Sequence, residues 1–113
     1  MSLHRYVVCG PPGSGKTSYV RAEAKPTDIV WDFDRAVEAC CGLESVRGHN
    51  LPWHLIQAGV AMRDGLCAWL ARERFINPSV YVIVTSRTLA ETIAGEIDGQ
   101  LVVLPPRESV PQH

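Results

Sequence analysis

Residues 3–17, LHRYVVCGPPGSGKT, constrain this chain more than any other stretch. The β-branched and aromatic run at 3–9 predicts a strand. It breaks into Gly10-Pro11-Pro12-Gly13-Ser14-Gly15, a turn no strand can continue. From Gly15 to about Ala24 the pattern reads as a helix, which Pro26 stops. Such a turn has a specific chemistry. Glycines let successive backbone N–H groups face inward as a nest for phosphate oxygens, and the helix that follows adds the partial positive charge of its first turn. Lys16 supplies a point charge for the β- and γ-phosphates, and the Thr17 hydroxyl is a magnesium ligand, with Ser18 the neighbouring hydroxyl. Residues 10–17 fit G-x-x-x-x-G-K-[ST] at every constrained position and stand between strand and helix, as the pattern requires. The expected ligands are a nucleoside triphosphate, taken as ATP, and Mg²⁺. A guanine-specific site is not expected, because no [NT]-K-x-D stretch occurs.

The rest of the chain alternates strand and helix patterns. Residues 28–33 (DIVWDF) predict a short strand, and 34–41 a short helix with Asp34 as its N-cap. Residues 42–50 read as a loop. The longest helix is expected over 52–74, where Leu55, Ile56, Val60, Met62, Leu66, Cys67 and Leu70 recur at three- and four-residue steps. Pro52 suits its first turn, and Asn77-Pro78 marks its end. Gly59 and Gly65 inside it are expected to be close-packing points. Residues 79–85 (SVYVIVT) form a continuous apolar run, the pattern of a parallel strand covered on both faces. A helix over 89–97, a strand over 100–104 and an irregular, proline-rich 105–113 complete the reading. Strand and helix in alternation predict an α/β fold: a small, mostly parallel sheet of about four strands with helices on both faces.

A chain of 113 residues makes one domain, 1–113, large enough for a core of its own. The net charge of −1, with both signs mixed along the chain, offers no basic patch to announce nucleic acid by electrostatics alone. The N-terminus lacks a signal-peptide pattern, and the longest clean apolar run, Val80–Val84, is far short of a membrane span. Cys9, Cys40, Cys41 and Cys67 form no CxxC pair and read as reduced, buried thiols of a cytoplasmic protein; the four histidines are too scattered for a metal site. Trp31, Trp53 and Trp69 are expected to pack in or against the core.

A second polar constellation lies at Asp32 and Asp34, at the end of the second strand. Open α/β sheets place ligands beyond the carboxyl ends of their strands, so both carboxylates belong at the edge that holds the phosphate loop. Either is a candidate general base, and Asp32 a candidate magnesium carboxylate.

The loop GPPGSGKT is the Walker A motif, and the order of elements from it through DIVWDFD and the long helix to VYVIVTS resembles the P-loop NTPase superfamily. The nearest likeness is to the small, polynucleotide-kinase-like P-loop kinases and to short AAA-labelled ATP-binding proteins of phages and prophages. It spans residues 3–104. The resemblance implies a three-layer P-loop fold, and an acidic residue after the second strand that accepts the proton of the substrate hydroxyl. It also implies an arginine over the transferred phosphate, for which Arg87 and Arg107 are the candidates, and Arg47 and Arg63 as contacts for a second substrate. One departure stands out: the Walker B position, at the end of the third strand, reads Thr85-Ser86-Arg87 with no carboxylate. Thr85 or Ser86 must then orient a metal-bound water, or Asp32 must supply the carboxylate. The family's lid would lie beyond His113, so the resemblance implies a closure that is either incomplete or completed by an oligomer or partner chain.

Three functions fit these residues. The first is an ATP-dependent phosphotransferase with a nucleoside, nucleotide or polynucleotide hydroxyl as acceptor. The second is an ATPase subunit of an assembly handling DNA or protein, and the third a non-catalytic ATP-binding module. The acidic pair favours the first.

Overall fold

Strands β1 (Arg5–Cys9) and β3 (Val80–Val84) form the centre of the sheet in a computed structural model that describes residues 3–106. All five residues of β3 are buried, which is why its sequence is apolar without alternation. The edges are β2 (Ile29–Trp31) and β4 (Gln100–Val103). The order is β2-β3-β1-β4, every pairing is parallel, and Cys9 lies opposite Val84 on one side and Val103 on the other.

That order dictates the layers. From β1 to β2 the chain moves one way across the sheet; from β2 to β3, and from β3 to β4, it moves the other way. Crossovers of a single hand then require the first helix on one face and the later helices on the opposite face. The packing follows. Helix α1 (Lys16–Glu23) sets Val20 and Tyr19 on Val8, Tyr81 and Ile83. Helices α2 (Phe33–Cys40), α3 (Trp53–Arg72) and α4 (Arg87–Ile97) cover the other face, where Val7, Cys9, Val80, Val82 and Val84 meet Ala36, Cys67, Leu70 and Ile93. The expected parallel α/β sheet of four strands with helices on both faces is what forms.

Several local expectations are corrected. Asp32, not Asp34, is the N-cap residue of α2, because Phe33 already takes helical geometry; Asp34 lies in the first turn. Pro52 is the N-cap of α3 rather than a residue of its first turn. Helix α4 starts two residues early, since the Ser86 hydroxyl accepts the Leu89 amide at 3.2 Å and caps it. Trp31 is buried, but Trp53 and Trp69 are 68% and 40% exposed. Cys9 and Cys67 are buried; Cys40 is exposed at the end of α2. Of the two helix glycines only Gly59 is a packing point. A Cβ there would stand 2.9 Å from both Phe33 and Val37, whereas one at Gly65 would meet nothing within 4 Å.

Arg5 was no candidate for any role, yet it anchors the amino edge of the sheet. It is 1% exposed, and its guanidinium donates to the carbonyls of Leu70 (2.6 Å), Ile97 (2.9 Å) and Glu73 (2.6 Å) while lying over the Phe75 ring. The three carbonyls belong to the carboxyl ends of α3 and α4, where helix dipoles favour a cation. Pro105 and Pro106 have no regular structure; the rest of the tail, with Arg107, lies outside the described residues. No described helix is long and apolar enough to cross a membrane.

Candidate functional site

The neighbours β1 and β3 send their following helices to opposite faces, so the carboxyl edge between them is the sheet's switch point. Ligand crevices of open α/β sheets form at such a place. The loop 10–15 leaves β1 there. Gly13 (φ 80°) and Gly15 (φ 85°) hold left-handed conformations that disfavour any side chain, and Gly15 is the N-cap of α1. The Ser14 amide donates to the Pro11 carbonyl at 3.1 Å, closing a tight turn. Gly10 meets a different constraint: a Cβ on it would lie 2.5 Å from Ser14 Oγ and 2.9 Å from the Leu104 carbonyl. Ser14 Oγ itself is buried without a hydrogen-bond partner, a polar atom available to a ligand seated in the turn.

Lys16 folds back over this loop. Its Nζ donates to the carbonyls of Gly10 (2.7 Å) and Pro11 (3.0 Å), which leaves one of three ammonium donors uncommitted. Thr17 and Ser18 are exposed in the first turn of α1, whose leading amides have no intrahelical acceptors.

Beside the loop, a cleft of about 590 Å³ runs between α1 and the β2–α2 segment. Thr17 lines one side and Asp32 another. Val20, Val30 and Ile83 give it apolar walls. Asp32 owes its position to the end of β2; it is half-buried and makes no side-chain cap bond to α2. Burial, and then the charge of Asp34, push its carboxyl above the ordinary carboxylate range. Such a group gains from a nearby cation or from accepting a proton.

The structure thus places Thr17, the residue after Lys16, and Asp32 in the lining of one cleft. It does not bring the other two catalytic candidates there. Asp34 is exposed on α2 and does not line the cleft. Arg87, in the first turn of α4, pairs with Glu91 at 3.2 Å and lies outside the cleft as well. Thr85 and Ser86 are both exposed at the end of β3, and the Ser86 hydroxyl also accepts the Leu89 amide in capping α4. Of the second-substrate candidates, Arg63 stacks over the Trp31 ring at 5.6 Å and pairs with Asp64, while Arg47 is exposed on its loop.

The sequence reading missed Arg21, Lys25 and Arg35, which also line the cleft. Thr17 and Arg21 fall one four-residue step apart on α1, but Lys25 lies past the C-cap Ala24 and Arg35 on another helix, so no single helix face announces the set. Asp28, another lining residue, joins the amino ends of β2 and β3 to the exit of α1 by accepting the amides of Lys25 (2.8 Å) and Ser79 (3.1 Å).

Among the described residues no group of three or more His, Cys, Asp or Glu side chains gathers as a metal cage. Magnesium in phosphate sites needs none, since one or two protein oxygens, phosphate oxygens and waters complete its octahedron. A hydroxyl at Thr17 and a carboxylate at Asp32 fit that role. No protein-family model matches the chain, and neither a curated protein nor a solved structure does.

Proposed function

We propose that this chain is a P-loop protein that binds Mg–ATP at residues 10–18 and transfers its γ-phosphoryl to a nucleoside, nucleotide or polynucleotide hydroxyl. The observation that carries the reading is the shared cleft of Thr17 and Asp32, opening beside a glycine loop at the switch point of the sheet. Lys16, the loop amides and the first turn of α1 hold the phosphates, with Ser14 Oγ as a further donor. Thr17 is the residue that would hold magnesium, phosphate oxygens and waters completing its octahedron; its chemistry would be to neutralise charge on the phosphate oxygens. Asp32, with its raised carboxyl, takes the proton of the acceptor hydroxyl. The new O–P bond forms as the bond from the γ-phosphorus to the bridging oxygen breaks, and ADP leaves with that electron pair.

Calorimetric titration with a non-hydrolysable ATP analogue and Mg²⁺, followed by assays of ADP formation over nucleoside, nucleotide and 5′-hydroxyl oligonucleotide acceptors, tests this. Binding lost in Lys16→Ala and turnover that depends on an acceptor are expected. A chain that binds no analogue overturns the reading.

One observation favours a second reading, a binding module without turnover: the end of β3 presents no carboxylate, and Ser86 there is occupied by its cap. Turnover in the natural chain, abolished in Asp32→Asn/Asp34→Asn while the analogue still binds, excludes it.

A further inference from the structure

The two edge strands of the sheet differ in what surrounds their open sides. In a parallel ladder, successive residues of a strand turn their N–H and C=O groups alternately to the two sides. The Ile29 amide donates to the Ser79 carbonyl at 3.0 Å, so Ile29 and Trp31 face β3 and Val30 faces the open side. At the other edge the Leu104 amide donates to the Cys9 carbonyl at 2.8 Å. Gln100 and Val102 therefore face β1 with it, and Leu101 and Val103 turn their backbone groups outward. Such groups are a template for another strand, and proteins guard them with charges or a covering element. Beside β2 the guard is present: Asp28 and Asp32 flank Val30, and Arg21, Lys25 and Arg35 line the cleft along it. Beside β4 it is missing. Residues 99–106, GQLVVLPP, carry no charge, and Val103 is 45% exposed. Among the described residues, no backbone hydrogen bond outside the β1 ladder reaches Leu101 or Val103.

We infer that the open side of β4 pairs with the same strand of a second copy of this chain, antiparallel about a two-fold axis, and joins the two sheets into one. The strand's own groups set the register. With Leu101 opposite Val103 of the second copy, every outward N–H and C=O of both residues finds a partner, and Val102 faces its counterpart across the axis. A slide toward Gly99 turns the Val103 carbonyl to the Gly99 amide, which already donates to Ala94 at 2.8 Å. A slide toward Pro105 turns the Leu101 carbonyl to a residue with no N–H. Charge selects the partner as well. A neutral strand meets its own copy with no like charges opposed, whereas the same pairing of β2 about Val30 would set Asp28 opposite Asp32 of the second copy. The pairing also lays Leu101 of one copy beside the exposed Val103 of the other. Because the strands run antiparallel, the two phosphate loops lie at opposite ends of the joined sheet, and neither copy completes the other's site.

Sedimentation velocity of the full chain from about 1 μM to about 1 mM measures the association. For so short a contact it is expected to be weak, with a Kd of about 10–100 μM. Val103→Lys, at an exposed position of this edge, is expected to weaken it about tenfold or more. Val30→Lys, at the 40% exposed position of the other edge, leaves it unchanged. Thermal melts of dilute protein check that both variants fold as the natural chain does. The register needs no variant: in a mixture of isotope-labelled and unlabelled chain, NMR is expected to show a cross-chain contact between the two Val102 α-protons, which a non-hydrogen-bonded antiparallel pair brings together. A chain that stays monomeric at about 1 mM, a dimer that survives Val103→Lys or is lost equally in Val30→Lys, or a dimer without the Val102 contact overturns the inference, and each leaves the ATP reading untouched.

Discussion

Arg5 and Lys16 stand at opposite ends of β1, and each lays its charge on backbone carbonyls. Arg5 is sealed at the amino edge, with three carbonyls and the Phe75 ring around it. Lys16 sits half-exposed at the carboxyl edge on two loop carbonyls, with a donor to spare. The difference follows from the direction of a parallel sheet. Helices α3 and α4 end at the amino edge and deliver carbonyls there, so a cation can be consumed inside the fold. Helix α1 begins at the carboxyl edge and delivers amides, so the charge beside it remains available to an anion. One edge is closed within the fold, and the other keeps an uncommitted ammonium donor.

Changes at the two edges are expected to separate stability from binding. The largest effect belongs to Arg5→Met, which leaves buried carbonyls unpaired and should cost about 3–5 kcal/mol. Urea unfolding should show a lower midpoint with an unchanged slope, and the remaining folded protein should bind the ATP analogue normally. Lys16→Ala should do the reverse, weakening the analogue about a hundredfold while shifting stability by no more than about 0.5 kcal/mol. Equal losses of stability in both variants would break the comparison. Gly10→Ala falls between, because its Cβ presses on Ser14 and on the Leu104 backbone; about 1–3 kcal/mol of stability should go, together with analogue binding.

The smallest effect concerns Asp32 and sharpens the carboxyl edge. A carboxyl whose folded pKa lies above its unfolded value binds protons more readily in the native state, so stability falls as pH rises from the unfolded value through the folded one. Asp32→Asn keeps a good N-cap residue and removes the charge. It should be slightly more stable than the natural chain at pH 7, the gap closing below the ordinary carboxylate pKa, as thermal melts across that range would show. A less stable Asn variant at pH 7 would contradict the assignment.

Much of this arrangement was legible in the residues. The apolar run at 80–84 could only be a covered strand, and the spacing of glycines at 10–15 could only be a turn from strand to helix. The α2 cap was misread, because Asp32 and Asp34 are equally good N-caps and only the length of β2 chooses between them. Trp53 was misread because an aromatic residue on a helix does not declare which face has a partner, whereas Trp69 packs on Phe75 at the margin of the core. The cations lining the cleft stayed hidden, since each looks like an ordinary surface residue until the end of α1, the edge strand β2 and α2 border one cavity.

By itself the sequence determined the loop, its lysine and hydroxyl, and the alternation that makes the sheet parallel. These are properties of neighbouring residues, governed by allowed backbone angles and by the direction of each peptide. Only the tertiary structure decided that Asp32 rather than Asp34 shares a cleft with Thr17, that Arg87 is paired elsewhere, and that Arg5 is a keystone. Those outcomes depend on the strand order β2-β3-β1-β4, which brings distant segments to one edge, and no local pattern carries that information.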